Sequence, residues 1–175
     1  MLAFTVSKWI GADTVGAEEF ERLRPAAERA VFAAALYYEG AVKTTLAGSR
    51  SGRIYRIGKR GRVHQASAPG EAPASLTGKL RQSITHSDPI WEGDNVWVEV
   101  GSNLAYAAIL EYGGVTWNGG RILPRPYMES TFLREEENIF KVMQSMSTPR
   151  PTDQPKKSGG QKRGADGRFI KAGAE

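Results

Sequence analysis

Residues 91–101 read WEGDNVWVEVG, and they decide the fold class. Val96, Val98 and Val100 point one way while Trp97 and Glu99 point the other, the period of a half-buried strand. Glu92-Gly93-Asp94-Asn95 is a turn sequence, so this strand pairs back antiparallel onto the residues before it, roughly Ser83–Trp91. Near the start of the chain, AFTVSKWIG alternates in the same way, with Phe4, Val6 and Lys8 set against Thr5, Ser7 and Trp9. A sheet with one apolar face needs helices to cover it.

Working outward, two helices supply that cover. Pro25 suits the first residue of a long helix, and Ala27, Ala30, Val31, Ala34, Tyr38, Ala41, Val42 and Thr45 follow at helical spacing as far as Gly48. That is about 33 Å of helix with an alanine-rich face able to approach a sheet closely. Pro126 opens a second helix, PYMESTFLREEENIFKVMQSM, with Met128, Phe132, Ile139, Met143 and Met146 on its inner face. Between them, Thr77 caps a short helix over 78–84 in which Leu80 and Ile84 share a face. NLAYAAILEYGG reads as a helical turn or two stopped by Gly113-Gly114, and VTWNGGRILPRP reads as a loop. The fold class is therefore α+β: an antiparallel sheet packed against a long N-terminal helix and a C-terminal helix.

One segment does not belong to that core. In SGRIYRIGKRGRVHQAS, residues 51–67, Ile54–Ile57 and Val63–Gln65 form strands joined by Gly58-Lys59-Arg60-Gly61. So narrow and basic a β-hairpin buries little apolar surface and is expected to project from the body. The charge distribution singles it out as well. The net charge is +5, yet residues 48–82 hold eight basic residues against Glu71 alone, a charge of +7. Residues 149–175 carry seven basic and three acidic residues, a charge of +4, which leaves the rest of the chain at −6. A molecule with such a dipole binds a polyanion or binds copies of itself head to tail. The expected organisation is an N-terminal arm or strand over 1–24, one α+β domain over 25–147 with the hairpin arm at about 50–75, and a basic, flexible tail over 148–175. That tail is too rich in Pro, Lys, Gly and Gln to fold alone, and only Phe169-Ile170 offers an apolar hook.

Several chemistries fall away. No apolar run reaches about 18 residues, so no membrane-spanning helix is expected, and the first residues lack the pattern of a secretion signal. The chain has no cysteine, which excludes disulfides, thiol catalysis and cysteine-held zinc. APGEAPASLTGKL, residues 68–80, ends like a phosphate-binding loop, but Pro73 stands where the first glycine is required and Leu80 where a hydroxyl should hold magnesium. His64 and His86 have no second ligand at metal spacing, and Glu135-Glu136-Glu137 reads as a solvated helix face. No enzyme, cofactor or metal site is expected. Six basic residues between Arg50 and Arg62, with Tyr55 among them, are able to track phosphates and stack a base. They are spread over both faces of the hairpin without a nucleic-acid fold pattern around them, so a solvated or protein-docking arm is the preferred reading.

The order of segments resembles the tail-completion family (neck or head–tail connector proteins) of long-tailed bacteriophages. The resemblance lies in Ser67–Ala74, Thr77–Ile84, Val100-Gly101, Tyr106-Ala107, Glu111-Tyr112-Gly113 and Pro124–Tyr127, in that order, and spans roughly residues 25–135. Gly114 departs from it, standing where a threonine is common, and the first 24 residues and the basic tail lie outside it. The resemblance implies a structural virion protein, made in the host cytoplasm, that assembles into a homo-oligomeric ring, hexamer or dodecamer, at the head–tail junction. Its partners would be neighbouring head-closure or connector rings, tail-terminator or tail-tube rings, and DNA passing through the channel. The alternatives are a nucleic-acid-binding accessory protein and a minor tail or tail-tube component. On this basis Arg53, Tyr55, Arg56, Lys59, Arg60 and Arg62 are candidate contacts to a partner or to DNA. Pro69 and Pro73 stiffen the root of the arm, while Tyr112, Trp117 and Tyr127 are either aromatic anchors of a second surface or core residues.

Overall fold

A computed structural model describes residues 2–9, 16–59, 61–150 and 153. Its centre is the predicted strand, β6 (Asn95–Ser102). β1 (Leu2–Trp9) pairs antiparallel along its whole length, from Leu2 opposite Ser102 to Trp9 opposite Asn95. β4 (Ile84–His86) and β5 (Ile90–Glu92) pair antiparallel with β6 on its other edge. Val96, Val98 and Val100 are fully buried with Val6 beside them, whereas Thr5 and Ser7 face solvent. The strand expected over 83–91 is interrupted because Pro89 has no N–H to give the ladder. The Ser87 amide still bonds the Glu99 carbonyl at 2.9 Å.

The apolar face lies against α1 (Ala17–Ala47), and α4 (Glu129–Met146) packs along α1. Ala27, Ala30, Ala34 and Ala35 are buried, which lets helix and sheet backbones approach closely. α1 begins eight residues before the expected start, so Pro25 stands inside it rather than at its first position. An interior proline costs about 3 kcal/mol through its missing N–H and ring clash, and here packing outweighs it. Phe20 and Leu23 rest on the core, Phe20 meets Trp91 edge to face at 5.8 Å, and Arg24 lies 4.6 Å above the Trp91 ring. Trp91 in turn donates its Nε1–H to Glu28 at 2.7 Å. Along α4, Thr131 and Ile139 are buried and Phe132 and Met143 half-buried, while Met146, expected inside, is exposed in the last turn.

The basic hairpin forms as expected: β2 (Ile54–Ile57) and β3 (Arg62–Gln65) pair antiparallel and join no other sheet. α2 (Lys79–Ser83) and α3 (Ala107–Tyr112) are the two short helices. Part of the expected loop after α3 is a further small hairpin, β7 (Gly114–Val115) with β8 (Arg121–Ile122). Arg60, most of the basic tail and its Phe169-Ile170 hook lie outside the described residues. Asp153 folds back onto α1, gripping Arg29 with both carboxylate oxygens at 2.6 and 2.7 Å.

Candidate subunit interface

The β2–β3 ribbon stands on a root built from side chains that grip backbone. Arg50, just past α1, donates to the carbonyls of Thr45, Gly48 and Ser49 at 2.8 Å and to Pro73 at 3.0 Å. Burial lowers its pKa, though a guanidinium stays charged. Glu71 accepts from the amides of Ser51 and Ala68 at 3.1 and 2.8 Å and from the Ser51 hydroxyl. The Ser51 hydroxyl and amide, then the Ala68 amide, hold its carboxyl down to about 2. On the far side, Arg125 Nη1 donates to the Ser67 carbonyl at 2.8 Å and to the Ser67 hydroxyl. The ladder itself runs on into this root, with Gly52 N–H bonded to Ala66 at 3.0 Å. A Cβ on Gly52 would sit 2.6 Å from that same carbonyl oxygen, so only glycine fits. Pro73 is buried and its carbonyl serves Arg50, whereas Pro69 is exposed.

Above the root, the register places Ile54, Arg56, Val63 and Gln65 on one face and Tyr55, Ile57, Arg62 and His64 on the other. Arg62 donates to the Leu76 carbonyl at 3.1 Å and Ile57 is half-covered, so the second face turns toward the segment around Leu76. Arg53 lies 5.5 Å from the Tyr55 ring centroid, a cation–π distance, and Lys59 is exposed in the turn. The first face is open: Ile54 is 62 % and Val63 61 % exposed.

A second apolar patch surrounds α3. Trp117, in the β7–β8 turn, is 98 % exposed, with Tyr112, Val115 and Leu123 also outside. Tyr127 is the opposite case, 0 % exposed and part of the core, so among the three aromatic candidates Tyr112 and Trp117 reach the surface. The patch is fixed from beneath by Glu111. Its buried carboxylate accepts the amides of Tyr127, Met128 and Glu129 at 2.8, 3.1 and 2.9 Å, the last being the first amide of α4 and the others those just before it. Gly113, at φ 77°, makes the turn away from α3 with its Cα beneath the Ile122 carbonyl.

Sequence reasoning missed the role of Glu111, which only a partner segment sixteen or so residues away reveals. It also missed a half-buried cluster in which Glu39 joins Lys43 and His86, with the Phe32 ring edge-on to His86 at 5.0 Å. Burial pushes the Glu39 carboxyl up, but Lys43 and His86 outweigh it and the net shift is down. His86 is thus a packing residue, and among the described residues no three His, Asp or Glu side chains gather as a metal site.

Residues 17–113 match the family model described as "Bacteriophage HK97-gp10, putative tail-component", a span of more than half the chain. The chain belongs to this family. No curated protein and no solved structure matches it. Membership in the HK97-gp10-like family makes it a structural tail-component protein of the bacteriophage virion, and fits the resemblance to tail-completion proteins. The HK97-gp10-like match takes in α1, the ribbon and strands β4, β5 and β6 of the sheet, leaves out β1 and Arg125, and ends at Gly113, beside the carboxylate that receives the start of α4. Among the described residues no helix is long and apolar enough to cross a membrane.

Proposed function

We propose that the chain is the neck subunit of its phage, a homo-oligomeric ring at the head–tail junction that completes the tail and lets DNA through. The observation that carries this is the ribbon: a basic, partly apolar hairpin that joins no other sheet and stands on a root held by Arg50, Glu71 and Arg125. A small subunit gains the roughly 800 Å² per partner of a stable interface by laying such an arm on its neighbour. Holding the arm in shape beforehand reduces the entropy lost on docking. Six and twelve copies suit this position, and the exposed patch around Trp117 gives a second surface for the rings above or below.

Electron microscopy of lysates from a phage with an early stop codon in this gene tests the reading. DNA-filled heads beside unattached tails are the expected outcome. Missing tails or tails of altered length would move the protein into tail assembly, and normal virions would overturn the structural role at the neck.

A further inference from the structure

α4 is amphipathic in an unusual way, because its outer side is not wholly polar. Leu133, Glu136, Glu137 and Phe140 stand at i, i+3, i+4 and i+7, so they share one side of the helix. All four are exposed, on the side away from buried Thr131 and Ile139. Leu133 is 65 % and Phe140 53 % exposed, although the helix already has an inner face packed on α1. Lys141 holds Glu137 at 2.7 Å, whereas Glu136 makes no ion pair among the described residues. The outer face of the ribbon has the complementary make-up: Ile54 and Val63 astride Arg56, which likewise makes no ion pair among the described residues. Each surface has two bulky apolar side chains around a charge, and the charges are opposite.

We propose that the ribbon of one copy lies across α4 of the next, with Ile54 and Val63 on Leu133 and Phe140 and Arg56 against Glu136. The proposal rests on the ring reading above and names its contact. The two patches differ, so the contact is head to tail, and repeating it closes a ring when the rotation permits. Opposite charges flanked by apolar side chains fix register and reject the reverse pairing, in which like charges would meet.

The absence of cysteine from the chain makes the test free of background. Full-length I54C and F140C proteins are mixed and oxidised, beside a control mixture of I54C with N138C, which places the thiol on another side of α4. The expected result is a disulfide-linked mixed dimer in at least roughly tenfold excess over the control, as proximity at a real contact demands. Arg56→Glu and Glu136→Arg should each weaken self-association roughly a hundredfold, and the two together should restore it. Equal cross-linking in both mixtures overturns the contact. If native mass spectrometry still shows closed oligomers, the ring stands and only this contact falls; monomers at every concentration would remove both. Equal cross-linking joined to loss of DNA binding in Arg56→Glu would assign the ribbon to nucleic acid instead.

Discussion

Replacing Glu111 by glutamine tests whether two distant segments are truly clamped together. The side chain keeps its shape and loses its charge. If the glutamine oxygen takes the place of Oε2, the amides of Tyr127 and Met128 keep an acceptor. Its NH2 then meets the Glu129 N–H, which now bonds Oε1 at 2.9 Å, donor against donor. Orphaning this part-buried amide costs about 1 kcal/mol, the low end for an unsatisfied donor. Losing a negative charge at the start of α4 costs up to about 2 kcal/mol more in a partly buried setting. A loss of up to about 3 kcal/mol is therefore expected, which lowers the melting temperature of a chain this size by as much as roughly 6–12 °C. Urea unfolding and thermal melts of the full chain measure it, with Glu92→Gln, an exposed site away from the proposed contact, as a control that should change stability by less than about 0.5 kcal/mol. Glu111→Asp keeps the charge, loses reach and should fall between. If Glu111→Gln unfolds within about 0.5 kcal/mol of the parent, the three amides have no need of the carboxylate and the clamp is wrong.

Three other perturbations follow from the same geometry. The Tyr127 hydroxyl is buried with no hydrogen-bond partner among the described residues, so Tyr127→Phe should leave stability unchanged or raise it by up to about 1 kcal/mol; a measurable loss in urea unfolding would contradict this. Glu71, depressed to about 2 by Ser51 and Ala68, contributes stability present above the ordinary glutamate value near 4.3 and lost as pH falls through about 2. The Ser51 and Ala68 amide resonances should titrate together with that midpoint, and Glu71→Gln should abolish the step. Gly113→Ala should cost about 2 kcal/mol or more, since φ is 77° and the new Cβ would lie 2.8 Å from the Ile122 carbonyl oxygen. Gly58→Ala, at φ 72° but in open space, should cost only about 1 kcal/mol, and equal losses at the two sites in urea unfolding would refute the steric part.

Much of the fold was legible because local pattern and tertiary need agree over β6, the alanine face of α1 and the ribbon. Val96, Val98 and Val100 alternate into the core as their spacing requires, and Gly93 turns the chain where expected. Pro25 misled because a propensity rule was read without the packing that overrides it: nothing local to residues 17–24 announces that Phe20 will meet Trp91. The pairing of Tyr127 with the core was equally hidden, since an aromatic after Pro-Arg-Pro suits a surface anchor as well as a buried plug. The glutamates on the outer side of α4 do face solvent, as expected for Glu136 and Glu137, but the apolar residues beside them were not singled out. Three adjacent glutamates dominate the composition there, and only their placement at i+3 and i+4 from Leu133 shows that two of them frame an apolar stripe.

The segments that carried the family resemblance turn out to be linked to one another through hydrogen bonds to backbone, most of them from side chains. Ser67 meets Arg125 from the Pro124–Tyr127 segment, and Arg125 N–H bonds the Leu110 carbonyl at 2.8 Å beside Glu111, which takes the next amides along. Arg50 ties the end of α1 to Pro73. Each tie fixes a backbone path without depending on which side chains the path displays. Ile54, Arg56, Val63 and Trp117 ride on paths so fixed, and are themselves exposed. Substituting these four should then alter assembly while leaving the fold intact, whereas changing Arg50, Glu111 or Arg125 should disturb both together. Separating those two outcomes distinguishes a surface built to meet a partner from one that is merely exposed.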